Sequence, residues 1–147
     1  MSTSTHDRGM RAVERVRSVR ERDSRLGLQQ ATAERDRQQA RLDALEQQLH
    51  DSSAWTSGET WSYLALRGSL LGLGESIARA EQEVAAAQRI AESAAAHWGQ
   101  DRTRLAAVEN LLARRAEARR TERARREARE LDDISAQLWT RQQGAAR

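Results

Sequence analysis

Proline, cysteine, phenylalanine and lysine are all absent from this chain of 147 residues. Without proline, where average usage near 5% predicts about seven residues, nothing forces a helix to kink or stop. Without cysteine there is no disulfide and no thiolate chemistry, which fits a reducing compartment. Without phenylalanine the aromatics reduce to four Trp and one Tyr. The apolar set is mostly Ala and Leu, too little bulk for the thick core of a compact globule. No apolar run approaches the roughly 18 residues of a membrane span, and the N-terminal "MSTSTHDRGMR" has no apolar h-region. These absences predict a soluble, cytoplasmic protein.

With lysine missing, every basic residue is arginine. That composition suits bidentate contacts to carboxylates or phosphates, but codon bias in a GC-rich genome is the favoured account of it, so arginine content alone identifies no partner. What remains is rich in Ala, Arg, Glu, Gln and Leu, all strong helix formers, with 32% charged residues. Long helices follow.

The second half carries the clearest periodicity. Steps of three and four from Tyr63 reach Leu66, Leu70, Leu73, Ile77, Ala80, Val84, Ala87, Ala91, Ala94, Trp98, Asp101, Leu105, Val108 and Leu112. All but Asp101 are apolar or aromatic, the pattern of a coiled-coil seam. It passes through Gly68, Gly72 and Gly74 without a slip, so the helix is expected to continue there although each glycine costs roughly 1 kcal/mol relative to alanine. Upstream, "HDSSAWTSGE" loses all periodicity, and Thr56 and Glu59 have the spacing of a capping box. In the first half, Leu28, Ala31, Arg35, Gln38, Leu42, Leu45 and Leu49 share one heptad register, whereas Met10, Val13, Val16 and Val19 recur every third residue and predict a drift.

Two helices joined by a short loop lie antiparallel. The expected fold class is therefore all-α, an antiparallel two-helix coiled-coil hairpin with a longer second helix. It forms a single domain over residues 1–147, with a helix at about 8–50, a turn at about 51–57 and a helix at about 58–142. With the turn centred near Trp55, Leu49 faces Trp61, Leu42 faces Gly68 and Met10 faces Gln100. The second helix then overhangs from about residue 113, by about 45 Å at 1.5 Å per residue. Within that overhang, Arg114 to Glu130 holds eight Arg and four Glu and nothing larger than alanine to bury. Leu131, Ile134 and Leu138 follow as a short amphipathic stripe with Trp139 beside it. The stripe is expected either to fold back on Met10 to Val19 or to dock another chain.

Enzyme constellations are missing. His6, His50 and His97 are far apart and none has metal-ligand spacing. There is no phosphate-binding glycine loop and no lysine to serve one. No catalytic, cofactor or metal site, and no small-molecule substrate, is expected. Asp101, the one charge in the seam, is expected near the open end of the hairpin where water reaches it; a register-fixing contact is the other reading. A pI near 10.7 raises the question of nucleic acid, but the formal charge is only +3 and glutamate interrupts the arginines throughout. A protein-binding or solvated face fits better, and no nucleic-acid partner is expected.

Taken in order, "VERVRSVRERDSRLGLQQA", a polar turn with Gly58, "WSYLALRGSLLGLGESIARAEQEV", a seam ending "LLARR" and the terminal "RREARELDDISAQ" resemble the FliJ family of the bacterial flagellar type III export apparatus. The likeness covers nearly the whole chain. It implies a stalk in the central hole of the hexameric flagellar export ATPase, similar to the gamma subunit of rotary ATP synthases. It also implies contact with the membrane export gate and with export chaperones, and a location in the cytoplasm against the inner face of the membrane at the flagellar base. On this reading Arg114, Arg115, Arg119, Arg123, Arg126, Leu131, Ile134 and Leu138 meet the ATPase, while Leu66, Leu70, Leu73 and Ile77 meet the gate or a chaperone. The equivalent stalk of a virulence secretion system, an arginine-rich coiled coil on nucleic acid, and a homodimer pairing its seams between chains are the rival expectations.

Overall fold

The computed structural model describes residues 2–53 and 60–145. Those residues form two α-helices, α1 (Ser2–Ser53) and α2 (Thr60–Ala145), with no other regular element among them. The fold is the all-α antiparallel hairpin with the longer second helix. Most of the expected turn, including the Thr56 and Glu59 capping pair and Gly58, lies outside the described residues. None of the described helices is long and apolar enough to cross a membrane.

The chain divides into two compact units, one of Arg17–Thr103 and one of Met1–Val16 with Arg104–Arg147. In the first, α2 turns the heptad face from Leu66 to Asp101 inward, and Ala80, Ala87, Ala91 and Asp101 on it are buried. Tyr63, the first position of the expected seam, is exposed. From α1 the matching face runs through Leu28, Ala31, Arg35, Gln38, Leu42, Leu45 and Leu49, with Leu42 buried and the others half-buried. Alanine on one side lets the two backbones approach closely, and the leucines of the other fill the remaining space. Gln38 donates through Nε2 to Glu34 Oε1 at 2.8 Å, a contact that, together with Arg37, holds the Glu34 carboxyl below its usual range.

The register differs from the one derived from loop position. Arg41 Nη1 meets Glu83 Oε2 at 2.8 Å, where a turn centred on Trp55 puts Ser69. Trp98 donates Nε1–H to Glu21 at 2.8 Å, where the same reckoning puts Arg89. Leu42 accordingly lines a groove with Glu81 and Val84 rather than facing Gly68. The helices are displaced by roughly three turns of 3.6 residues. A heptad seam maps onto itself when shifted by seven, so apolar spacing is satisfied in either register and polar contacts decide between them.

The valines of α1 also depart from expectation. Val13, Val16 and Val19 are exposed, while Met10, Glu14, Arg17, Ser18, Glu21 and Ser24 are half-buried. A step of three residues falls about 60° short of a full turn, so a triplet repeat walks off the seam within two steps. The alternating steps of four and three hold the face although they place polar side chains on it. Ser24 is tolerated there because its hydroxyl donates to the Arg20 carbonyl at 3.0 Å.

Gly68, Gly72 and Gly74 have helical backbone, with no positive φ, and a Cβ added at any of them meets nothing within 4 Å. Neither left-handed geometry nor close approach within this chain requires glycine. Gly68→Ala and Gly72→Ala should therefore each stabilise the hairpin by about 0.5–1 kcal/mol, read as a rise in thermal midpoint. A fall in midpoint would show a steric demand that the structure does not contain.

In the second unit the opening turns of α1 lie against α2 as far as Arg119. Leu105, Val108 and Leu112 are half-buried, and so are Arg115 and Arg119 beyond them. Asp7 bonds to the Arg119 guanidinium and stands 3.5 Å from Arg115 Nη1. The unpartnered stretch thus differs from the overhang expected from about residue 113. It begins at Arg120, because α1 starts at Ser2 and Asp7 reaches Arg115 rather than Thr103. From Arg120 to Gln143 every side chain is exposed.

Candidate partner-binding surface

The stretch after Arg119 stays helical although it buries nothing, and its own charges explain part of that. Arg126 Nε donates to Glu122 at 3.1 Å, four residues away, and Arg120 stands 3.7 Å from Glu117, three residues away. Such pairs add about 0.2–0.5 kcal/mol each to an isolated helix. Thr121 and Thr140 return their hydroxyls to the carbonyls four residues back. Helix propensity does the rest, since Ala, Arg and Glu fill most of the segment.

The arginines of the candidate surface fall into two groups. Arg115 and Arg119 are partly covered and share the Asp7 carboxylate of α1. Arg114, Arg123 and Arg126 face water. Asp7 gave no sign in the sequence: an acidic residue outside any heptad assignment becomes informative only once the register is known. The apolar stripe does not fold back on α1. Leu131 is 64% exposed and Trp139 62%, with Ile134 and Leu138 only slightly less so. Three large apolar side chains at helical spacing, with a Trp beside them, are thus presented to solvent at the end of an arginine-rich rod.

The other candidate group is placed differently. Leu66, Leu70, Leu73 and Ile77 are half-buried on the face that α2 turns toward α1. The same segment presents Tyr63, Leu64 and Leu71 outward, each more than half exposed. The sequence periodicity that makes Leu66 and Leu70 conspicuous is the periodicity of the seam itself, which is why the outward leucines escaped it.

Asp101 sits where the hairpin excludes water, at 4% exposure, and not at a wet open end. His97 Nε2 lies 3.5 Å from its carboxylate. One residue away on α2 from His97, Trp98 is bonded to Glu21, and the Arg102 guanidinium lies over its ring, 5.3 Å from the centroid. Of these contacts the Trp98–Glu21 bond crosses between the helices, at the stretch where α1 turns Arg17, Glu21 and Ser24 onto its half-buried face. No group of three or more His, Asp or Glu that could hold a metal ion occurs among the described residues.

A family model described as Flagellar FliJ protein matches residues 7–144. No curated protein and no solved structure matches the chain.

Proposed function

Because this chain belongs to the FliJ family, a family of coiled-coil proteins of flagellar export, we propose that it is the stalk that binds the hexameric export ATPase and promotes its assembly and its coupling to the export gate. The observation that supports this most is the exposed helix from Arg120 to Gln143. A slender rod studded with guanidinium forks can meet carboxylates and loop carbonyls on the inner wall of a ring at several rotational settings. Interleaved glutamates keep the attraction modest, so the contact holds without locking. Leu131, Ile134 and Leu138 supply the apolar anchor that charge alone lacks.

In the same proposal the gate or a chaperone meets the segment around residues 63–77. With Leu66, Leu70, Leu73 and Ile77 turned toward α1, Tyr63, Leu64 and Leu71 are the large apolar side chains the segment offers to such a partner. The protein acts in the cytoplasm, against the membrane at the flagellar base, and is not an enzyme.

The test is removal of residues 120–147. Stimulation of the export ATPase should be lost, while circular dichroism of the remaining chain keeps its helical signal and cooperative melt. A triple change of Leu131, Ile134 and Leu138 to serine should lower stimulation by about tenfold or more, as expected when anchors are lost. Undiminished stimulation by the shortened chain would refute the assignment.

A further inference from the structure

We propose that Arg115 and Arg119 form a carboxylate site whose internal occupant is Asp7, and that an acidic face of a protein partner takes Asp7's place when it binds. The inference rests on the reading that the arginine surface of α2 receives the export ATPase, and it adds a regulation of that surface by α1.

Arginines four residues apart on a helix stand one above the other, about one turn distant. Each guanidinium presents a fork of N–H donors, and one carboxylate has about four lone-pair directions, enough to accept from both forks. Asp7 makes that arrangement, bonded to Arg119 and 3.5 Å from Arg115. Its side chain is 14% exposed, against 37% and 40% for the two arginines. Arg120 and Arg126, paired within α2 itself, are 80% and 69% exposed. The chain therefore holds Arg115 and Arg119 through the other helix and pairs Arg120 and Arg126 locally.

The contact is suited to exchange. It lies at the last covered turn of α2, directly before the exposed stretch, so a partner seated on Arg123 and Arg126 reaches Arg119 next. Asp7 offers a single carboxylate, and a partially exposed ion pair is weak. A partner bearing several carboxylates in a row wins by number once its first contacts are made. Exchange also frees the start of α1, so the partner is registered at the far end of the other helix.

The experiment titrates the full chain with a hexaglutamate peptide and, separately, with the export ATPase. Asp7→Asn should tighten peptide binding about threefold, the scale of one surface ion pair. The gain should vanish when Arg115→Gln and Arg119→Gln are added. Equal affinity of the D7N and parent chains, or a gain that survives loss of both arginines, overturns the proposal. Hydrogen exchange on the unaltered chain gives an arm independent of any variant: the amides of residues 4–12 should exchange faster with peptide bound, and unchanged protection overturns the proposal equally. If D7N binds the peptide more tightly but the ATPase does not bind at all, the carboxylate site stands and the stalk reading falls. A larger gain for duplex DNA than for the peptide, with steep salt dependence, marks a phosphate surface and overturns the choice of a protein partner.

Discussion

Ala80→Glu is expected to destabilise the hairpin unit by about 3 kcal/mol or more. Ala80 is the most enclosed of the described residues, at 2% exposure, on the seam face of α2. A carboxylate there either stays charged in an enclosed site or forces the helices apart, and either takes a large share of the unit's stability. No large side chain among those described is fully buried, so the stability margin belongs near the low end of the 5–15 kcal/mol typical of a domain. The melt should shift down by about ten degrees or more and broaden as cooperativity fails. Ala85→Glu, on an exposed position of the same helix, should stay within about 0.5 kcal/mol of the parent. If both variants melt alike, the inward face has been misplaced.

Trp98→Ala carries the second large effect, about 2–3 kcal/mol, because three contributions leave together. The half-buried ring loses its packing, Glu21 loses the N–H that reaches it at 2.8 Å, and Arg102 loses the π-face beneath its guanidinium. The parts are separable. Trp98→Phe keeps a ring for Arg102 but removes the donor, and should cost about 1–2 kcal/mol of the total, as expected for a hydrogen bond to a charged group. In a double-mutant cycle, Trp98→Phe and Glu21→Ala together should cost less than the two separately. Strict additivity would mean that the bond contributes nothing to pairing the helices.

The heptad face from Leu66 to Leu112 was legible in the sequence because steps of three and four with Ala, Leu and Val admit no other secondary structure. The Arg35 and Gln38 positions of α1 were legible for the same reason, despite their polarity. The valine triplets misled: they were the most conspicuous apolar residues near the N-terminus, yet their spacing could not stay on one face. Register was not legible at all. It was inferred from the turn, which fixes it only if both arms leave the loop together, and the apolar seam tolerates the error without protest. Within the candidate surface, Leu131, Ile134 and Leu138 were legible as an amphipathic end. The division of the arginines by Asp7 was not, since it depends on which turn of α2 the start of α1 meets, and no apolar pattern marks that.

The Glu21–Trp98 bond has a consequence for how this protein can change over generations. An alanine of the seam can become a serine or a valine with little effect on which residue it meets, because every seventh position looks the same to it. A polar member of a cross-helix pair has no such freedom. A change at Glu21 or Trp98 leaves its partner on the opposite helix unpaired, so the two positions are expected to vary together while the apolar ones around them vary singly.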